Sequence, residues 1–307
     1  MERIGAWLAL ALVAAAPGRA QEPVAEVAFA DPLAIGEADL RMTVPVTING
    51  SGAWPFVIDT GAERTVLSRE LADRLQLRPG RSVRVTTMVG TSTTRTAQVP
   101  ALRVSKLEPP TIEAPLFARV NMGAIGMLGL DALQGHAVRI DFDTNTMTLR
   151  PSRKRRLVAS AGEIVVTAKS LYGQLIVTDA RWRGKKIAVV LDTGSPITIA
   201  NPALLRIAGR PPVSLGPMPV TAVTGEVLNA QGYHLRDVEI GRVSFPDVPV
   251  AVADAAPFRK FGLQDTPALL LGMETLRLFR RVEIDFPGRS IRLTLPRSAR
   301  TGSRIPL

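Results

Sequence analysis

VTINGSGAWPFVIDTGAERTVLS, residues 46–68, and DARWRGKKIAVVLDTGSPITIAN, residues 179–201, follow one pattern. Each runs through a strand, a Gly-containing turn and a second apolar strand, then reaches Asp-Thr-Gly. A lone Asp-Thr-Gly is an ordinary turn sequence, present by accident in roughly one chain in ten of this length. Two of them in matching surroundings form a repeat, and a repeat sets the architecture before any single element is assigned.

The match continues downstream. MLGLDALQGHAVRIDFDTNTMTLRP (127–151) parallels LLGMETLRLFRRVEIDFPGRSIRLTLP (270–296): an apolar-Leu-Gly step, a short helical turn, an Ile-Asp-Phe strand, a turn and a last alternating strand. The step lies 70 residues past the Asp in the first half (59 to 129) and 80 past it in the second (192 to 272), so the halves differ by a loop insertion. Between these landmarks VRVTTMVGTSTTRTAQV (83–99) and PVTAVTGEVLNAQGYHL (219–235) each predict a projecting β-hairpin, with alternating strands about Gly90 and Gly225. Many short Val/Ile/Thr-rich segments separated by Gly and Pro point to an all-β fold with short helices, built as two pseudo-symmetric β-barrel lobes. The expected division is 1–20 signal peptide, 21–35 N-terminal segment, 36–151 first lobe, 152–163 basic linker, 164–297 second lobe and 298–307 tail.

An Asp that ends a buried strand is costly to desolvate unless its carboxylate meets hydrogen-bond donors or shares a proton. Gly61 and Gly194 suit tight turns that present backbone N–H groups to Asp59 and Asp192. Thr60 and Thr193 are expected to point the other way, their hydroxyls bonding across the junction and locking the two loops together. Pseudo-two-fold symmetry then brings the two carboxylates face to face, where like charges cannot both ionise and the pair holds one proton over a wide pH range. Such a dyad activates water without metal, cofactor or covalent intermediate.

These residues resemble the retropepsin-like and pepsin-like aspartic peptidases. DTGAERTVL at Asp59 is similar to the retroviral active-site segment, and DTGSPIT at Asp192 to the pepsin-type variant with Ser after Gly. Met127-Leu128-Gly129 and Leu270-Leu271-Gly272 match the family's apolar-apolar-Gly step. The resemblance implies an acid-protease-like fold and an aspartic endopeptidase with Asp59 and Asp192 as catalytic carboxylates. Thr60, Gly61, Thr193 and Gly194 would support the dyad, while Ala62, Glu63, Ser195, Val89, Gly90, Thr224 and Gly225 would contact substrate. A flap-like hairpin in each half is similar to a retroviral dimer fused into one chain, although neither hairpin carries the flap tyrosine of pepsins. Two motifs in one chain imply a monomer, and relatives of this type include exported bacterial processing proteases. The rival expectation is an inactive peptide-binding or scaffolding module on the same fold.

Composition narrows the remaining classes. Cysteine is absent, which excludes disulfides and zinc-thiolate sites. With only His136 and His234, and no G-x-S-x-G elbow, neither a multi-histidine metal site nor a Ser-His-Asp triad is indicated. Arg3, the apolar run Ile4–Ala16, the break at Pro17-Gly18 and Ala20 form the plan of a cleavable secretory signal, so the expected location is periplasmic or secreted. The formal charge of +11 favours anionic surroundings. The linker's Arg150, Arg153, Lys154, Arg155 and Arg156 read first as a solvated connection and second as a contact for an anionic membrane surface. Nucleic acid is not an expected partner, because no aromatic-basic interleaving is present. GAIGMLG (123–129) lacks the G-x-G-x-x-G spacing of a phosphate loop and reads as packing. Trp54 and Trp182 read as core or interlobe packing, and Asp141 and Asp285 as outward carboxylates of alternating strands. Glu63-Arg64 in one loop against Pro196-Ile197 in the other predicts unequal subsites on the two sides of the cleaved bond.

Overall fold

The strand that ends on each Asp is flanked by the strand of the apolar-Leu-Gly step. In the first half Ser51–Ile58 runs into Asp59, pairs in antiparallel with Arg41–Ile48 and in parallel with Gly126–Leu128. Gly126–Leu128 is in turn antiparallel to Val66–Ser68, the strand that follows the loop. The second half repeats this order: Lys185–Leu191 runs into Asp192 between Gln174–Trp182 and Ala268–Leu271, and the latter is antiparallel to Ile199–Ala200. These strands are covered on both faces, which is why Phe56-Val57-Ile58 and Ile187 to Leu191 are unbroken apolar runs instead of alternating ones. Glycine ends each step because a Cβ on Gly129 would overlap the backbone of Arg64, and one on Gly272 the backbone of Ile197. The backbone that follows each Asp-Thr-Gly passes directly against these two positions.

This computed structural model describes residues 33–34, 36–38, 40–108, 110–133, 135–152, 159–160 and 162–296. The expected signal peptide, most of the 21–35 segment, the tail and the linker residues Arg153, Lys154, Arg155 and Arg156 lie outside the described residues. Among the described residues the longest helix is Arg69–Arg74, so the fold is all-β with short helices in two sheet-rich lobes. No helix there is long and apolar enough to cross a membrane.

Six consecutive strands of a 15-stranded sheet join the lobes in the order Leu33–Ala34, Thr146–Pro151, His136–Asp141, Arg281–Asp285, Ser290–Thr294 and Glu163–Leu171, three strands from each half. It corrects two expectations. Asp141 and Asp285 are buried: Asp141 pairs with Arg281 across the junction at 2.6 Å, and Asp285 accepts from the Ser152 hydroxyl at 2.6 Å. Arg150 is not a solvated linker residue; it is buried in Thr146–Pro151 and pairs with Glu283 at 2.5 Å, with Arg139 on the same carboxylate at 2.9 Å. Both corrections have one cause. The strands pair on both sides and are covered on both faces, so a polar residue here points at another strand's side chains.

The hairpins are present in both halves. Pro79–Thr86 pairs with Thr91–Val99 as far as Thr86 opposite Thr91, and Thr87 N–H to Gly90 O closes the tip at 2.7 Å. In the second half Val213–Pro217 pairs with Gln231–Leu235, and Val220–Thr221 with Val227–Leu228. Gly225 closes that tip at φ 90°, a conformation that favours glycine.

Candidate active site

Each Asp is held at its strand end by its own backbone. Asp59 N–H donates to Leu128 O at 3.0 Å and Asp192 N–H to Leu271 O at 3.0 Å, so the step strand fixes both loops alike. The loops then turn back on their own carboxylates. Gly61 and Ala62 N–H both donate to Asp59 Oδ1 at 2.9 Å, and Gly194 N–H donates to Asp192 Oδ1 at 3.1 Å.

The threonines tie the lobes together. Thr60 Oγ1 donates to Leu191 O at 2.9 Å, and Thr193 Oγ1 to Ile58 O at 2.8 Å. Each hydroxyl also accepts from the opposite backbone, Thr60 N–H to Thr193 Oγ1 at 3.0 Å and Thr193 N–H to Thr60 Oγ1 at 3.1 Å. The glycines show how closely the carboxylates meet. A Cβ added to Gly61 would lie 2.6 Å from Asp192 Oδ1, and one added to Gly194 would overlap the Asp59 carboxylate. Each acid therefore lies against the turn of the other lobe.

The two side chains are almost out of solvent, with Asp59 8% and Asp192 4% exposed. Burial raises Asp59 to about 6, against the Gly61 and Ala62 N–H groups and the Arg41 charge, which lower it. Burial, and then the neighbouring Asp59 charge, raise Asp192 to about 7. Two carboxylates raised in this way retain a proton where ordinary ones are fully ionised.

Further threonines brace the loops from behind. Thr65 Oγ1 donates to Asp131 at 2.7 Å and accepts from Gly129 N–H at 3.1 Å. Thr198 Oγ1 pairs with Thr275 Oγ1 at 2.8 Å and accepts from Gly272 N–H at 3.1 Å. Two contacts cross the junction beside the first loop: Lys260 pairs with Glu63 at 2.6 Å, and the Gln174 amide donates to Gly61 O.

Both hairpins reach the opposite lobe. Ala256 N–H, at the start of the helix Ala256–Lys260, donates to Met88 O at 2.9 Å, and Met88 packs on the second-lobe cluster of Ile176, Val190, Phe258 and Leu270. Val223 packs on the first-lobe cluster of Val57, Phe117, Met122 and Met127, and a Cβ on Gly225 would lie 2.7 Å from Asn121 Nδ2. The dyad thus lies in a junction bridged from both sides.

Of the residues named from sequence, Asp59, Thr60, Gly61, Ala62, Asp192, Thr193 and Gly194 come together in one constellation. Ser195 is buried and its hydroxyl is engaged by Ile197 O at 2.7 Å, while Glu63 is engaged by Lys260. Val89 and Gly90 are half-buried at the first tip; Thr224 bonds Glu226 at 2.8 Å, and Gly225 faces Asn121. Sequence reasoning missed Arg41, Gln174, Met88, Val223, Asn121 and Lys260. For Arg41 and Gln174 a signal existed, since each lies 18 residues before its Asp (41 to 59, 174 to 192) and extending the repeat upstream reaches both. No grouping of His, Asp and Glu suited to a metal ion occurs among the described residues.

No curated protein matches the chain. The family model described as aspartyl protease matches residues 44–132 and 178–275, which together span more than half of the sequence and contain both Asp-Thr-Gly loops and both apolar-Leu-Gly steps. The chain belongs to the aspartyl protease family.

Proposed function

We propose that the protein is an exported aspartic endopeptidase that hydrolyses peptide bonds of protein substrates with the Asp59/Asp192 dyad. The observation that carries this reading is the reciprocal placement of each carboxylate against the other loop's glycine, with both acids buried and raised by burial. In the reaction the ionised carboxylate takes a proton from water as that water attacks the peptide carbonyl, and the protonated partner donates to the carbonyl oxygen. Collapse of the tetrahedral intermediate breaks the C–N bond, and the amine leaves with a proton returned from the dyad. An extended peptide would lie across the lobe junction beneath the hairpins, its backbone pairing with strand edges.

The test is turnover of an unfolded protein. Wild type is expected to cleave it, and Asp59→Asn and Asp192→Asn to lose cleavage by at least about three orders of magnitude, because each removes one half of the acid–base pair. Equal turnover in all three proteins would exclude the dyad, and no turnover by wild type would favour a binding or scaffolding role. Export through residues 1–20 predicts a mature chain starting at Gln21, which N-terminal sequencing of secreted material reads directly. The duplicated motif predicts a monomer by light scattering.

A further inference from the structure

Arg41 and Gln174 occupy the same position of the repeat, and the strand register shows where that position lies. Thr43 opposite Val57 is the end pair of its ladder, and continuing that register by two residues brings Arg41 opposite Asp59. Ile176 opposite Val190 is the end pair of the other ladder, and the same continuation brings Gln174 opposite Asp192. Directly opposed residues of an antiparallel pair share a face of the sheet, which turns each of these side chains toward its Asp. Both are buried, Arg41 at 6% and Gln174 at 3% exposure. Arg41 Nη2 donates to Met122 O at 2.8 Å within its own lobe, while the Gln174 amide crosses to Gly61 O. The dyad's surroundings are therefore unsymmetric in charge, with a cation opposite one acid and a neutral amide opposite the other, and Asp59 Oδ1 also accepts a second backbone N–H, from Ala62, beside that of Gly61.

The other charged groups near the loops do not offset this. Glu63, beside the first loop, is paired with Lys260 from the helix Ala256–Lys260. Asp131, behind the same loop, accepts from Thr65 and is raised by burial. Glu274 follows Gly272 behind the second loop and is pushed up to about 6 by burial. Arg41 is the cation whose charge bears on both Asp59 and Asp192 and lowers both. A buried guanidinium is costly to desolvate, and Gln174 shows that the repeat position itself does not require a cation.

We propose that Arg41 is a positioning residue for the shared proton: its guanidinium, opposite Asp59 and unmatched at Gln174, makes the two carboxylates unequal and places the ionised charge on Asp59. Asp59 is then the base that receives the proton of the attacking water, and Asp192 the acid that donates to the carbonyl oxygen. This deepens the dyad reading and rests on it for the roles, though not for the proton's position.

Carboxyl-carbon NMR titration of Asp59 and Asp192, run beside pH profiles of kcat/KM on unfolded casein, tests it. In wild type Asp59 is expected to lose its proton below Asp192. Arg41→Gln removes a nearby positive charge, so both carboxylates and both limbs of the profile move to higher pH, by about half a pH unit or more, with a smaller gap between the acids. Arg41→Lys keeps the charge and is expected to keep the gap. Gln174→Arg, which adds a cation opposite Asp192, is expected to bring Asp192 down toward Asp59 and serves as the deciding variant if Arg41→Gln does not fold. An Arg41→Gln protein with lowered kcat but unmoved titrations would reduce Arg41 to a brace on Met122 O and overturn the proposal, as would Asp192 ionising first in wild type. If wild type cleaves nothing, the hydrolytic reading falls by itself, and the carboxyl titrations still decide where the proton sits.

Discussion

At Thr193 one hydroxyl donates to Ile58 O and accepts Thr60 N–H, and both of those partners lie in the other lobe. Thr193→Val keeps the shape and removes both bonds, leaving a buried carbonyl and a buried N–H without partners at a cost of about 2–4 kcal/mol. Thr193→Ser keeps the hydroxyl and is expected to lose less than about 1 kcal/mol. Urea unfolding of the two variants checks the contrast, and equal losses would show that the methyl, not the hydroxyl, matters. Asp192 gives a second expectation, with a sign set by linkage. Its carboxyl is raised to about 7 in the folded protein, above the unfolded value near 3.9, so the folded state holds a proton that the unfolded state releases. Stability from this group is intact below about pH 4 and is lost as pH rises through about 7. Asp192→Asn removes the titration, so it is expected to melt higher than wild type by an amount that grows from about pH 4 to about pH 8 and reflects on the order of 4 kcal/mol. A stability difference independent of pH would contradict the raised carboxyl. At this scale the triplets were legible, because a repeated Asp-Thr-Gly after an apolar strand announces itself. Arg41 and Gln174 were within reach of the repeat, 18 residues before each Asp, but Arg and Gln share no identity that would single the position out, and only the strand register places them opposite the acids.

The elements were legible where local pattern decides them. Alternating Val and Thr around Gly90 and Gly225 describe hairpins, and apolar runs before each Asp describe strands covered on both faces. What the hairpins rest on was not legible, since Met88 and Ala256 are far apart in the chain and meet only once both lobes have folded. That contact allows a clean intervention. Ala256 is the first residue of its helix and follows Ala255 at φ −75°, ψ 137°, a backbone that proline tolerates after it. Ala256→Pro deletes the N–H that Met88 O accepts and puts ring carbon in its place, at little cost to a helix whose first N–H has no intrahelical partner. The expected result is a melting temperature within a few degrees of wild type together with faster hydrogen exchange through the hairpin 79–99 and a raised KM. Unchanged exchange in that hairpin would mean that Met88 packing against Phe258 and Leu270 alone holds the tip down.

For the molecule as a whole, the six strands that join the halves decide whether two lobes behave as one body. The Ile-Asp-Phe segments display only alternation in the sequence, the pattern of strands with an outward carboxylate, and which further strand lies alongside is a property of the assembled pair of halves. Once they assemble, Glu283 of the second lobe is buried between Arg139 and Arg150 of the first. Burial by itself would raise Glu283, but the Arg150 hydrogen bond and the Arg139 charge outweigh it and hold the carboxyl below its usual range. The linkage sign is therefore opposite to that of the dyad: this contribution is present above the unfolded value near 4.3 and is lost as pH falls through the lower folded value. Glu283→Gln leaves the buried Arg150 and the half-buried Arg139 guanidiniums facing a neutral amide, which is expected to cost about 3 kcal/mol near neutral pH. The deficit should shrink as pH falls below the ordinary carboxylate range, where wild type protonates the same carboxyl. Trp54 in the first lobe and Trp182 in the second allow the lobes to be followed separately in single-tryptophan variants. Wild type is expected to give coincident denaturant midpoints from the two probes and Glu283→Gln midpoints that separate, since the charge cluster spans the junction and not either core. Coincident midpoints in the variant, with the full loss of stability retained at low pH, would place the coupling of the lobes in the threonine bonds at the dyad instead of in the sheet.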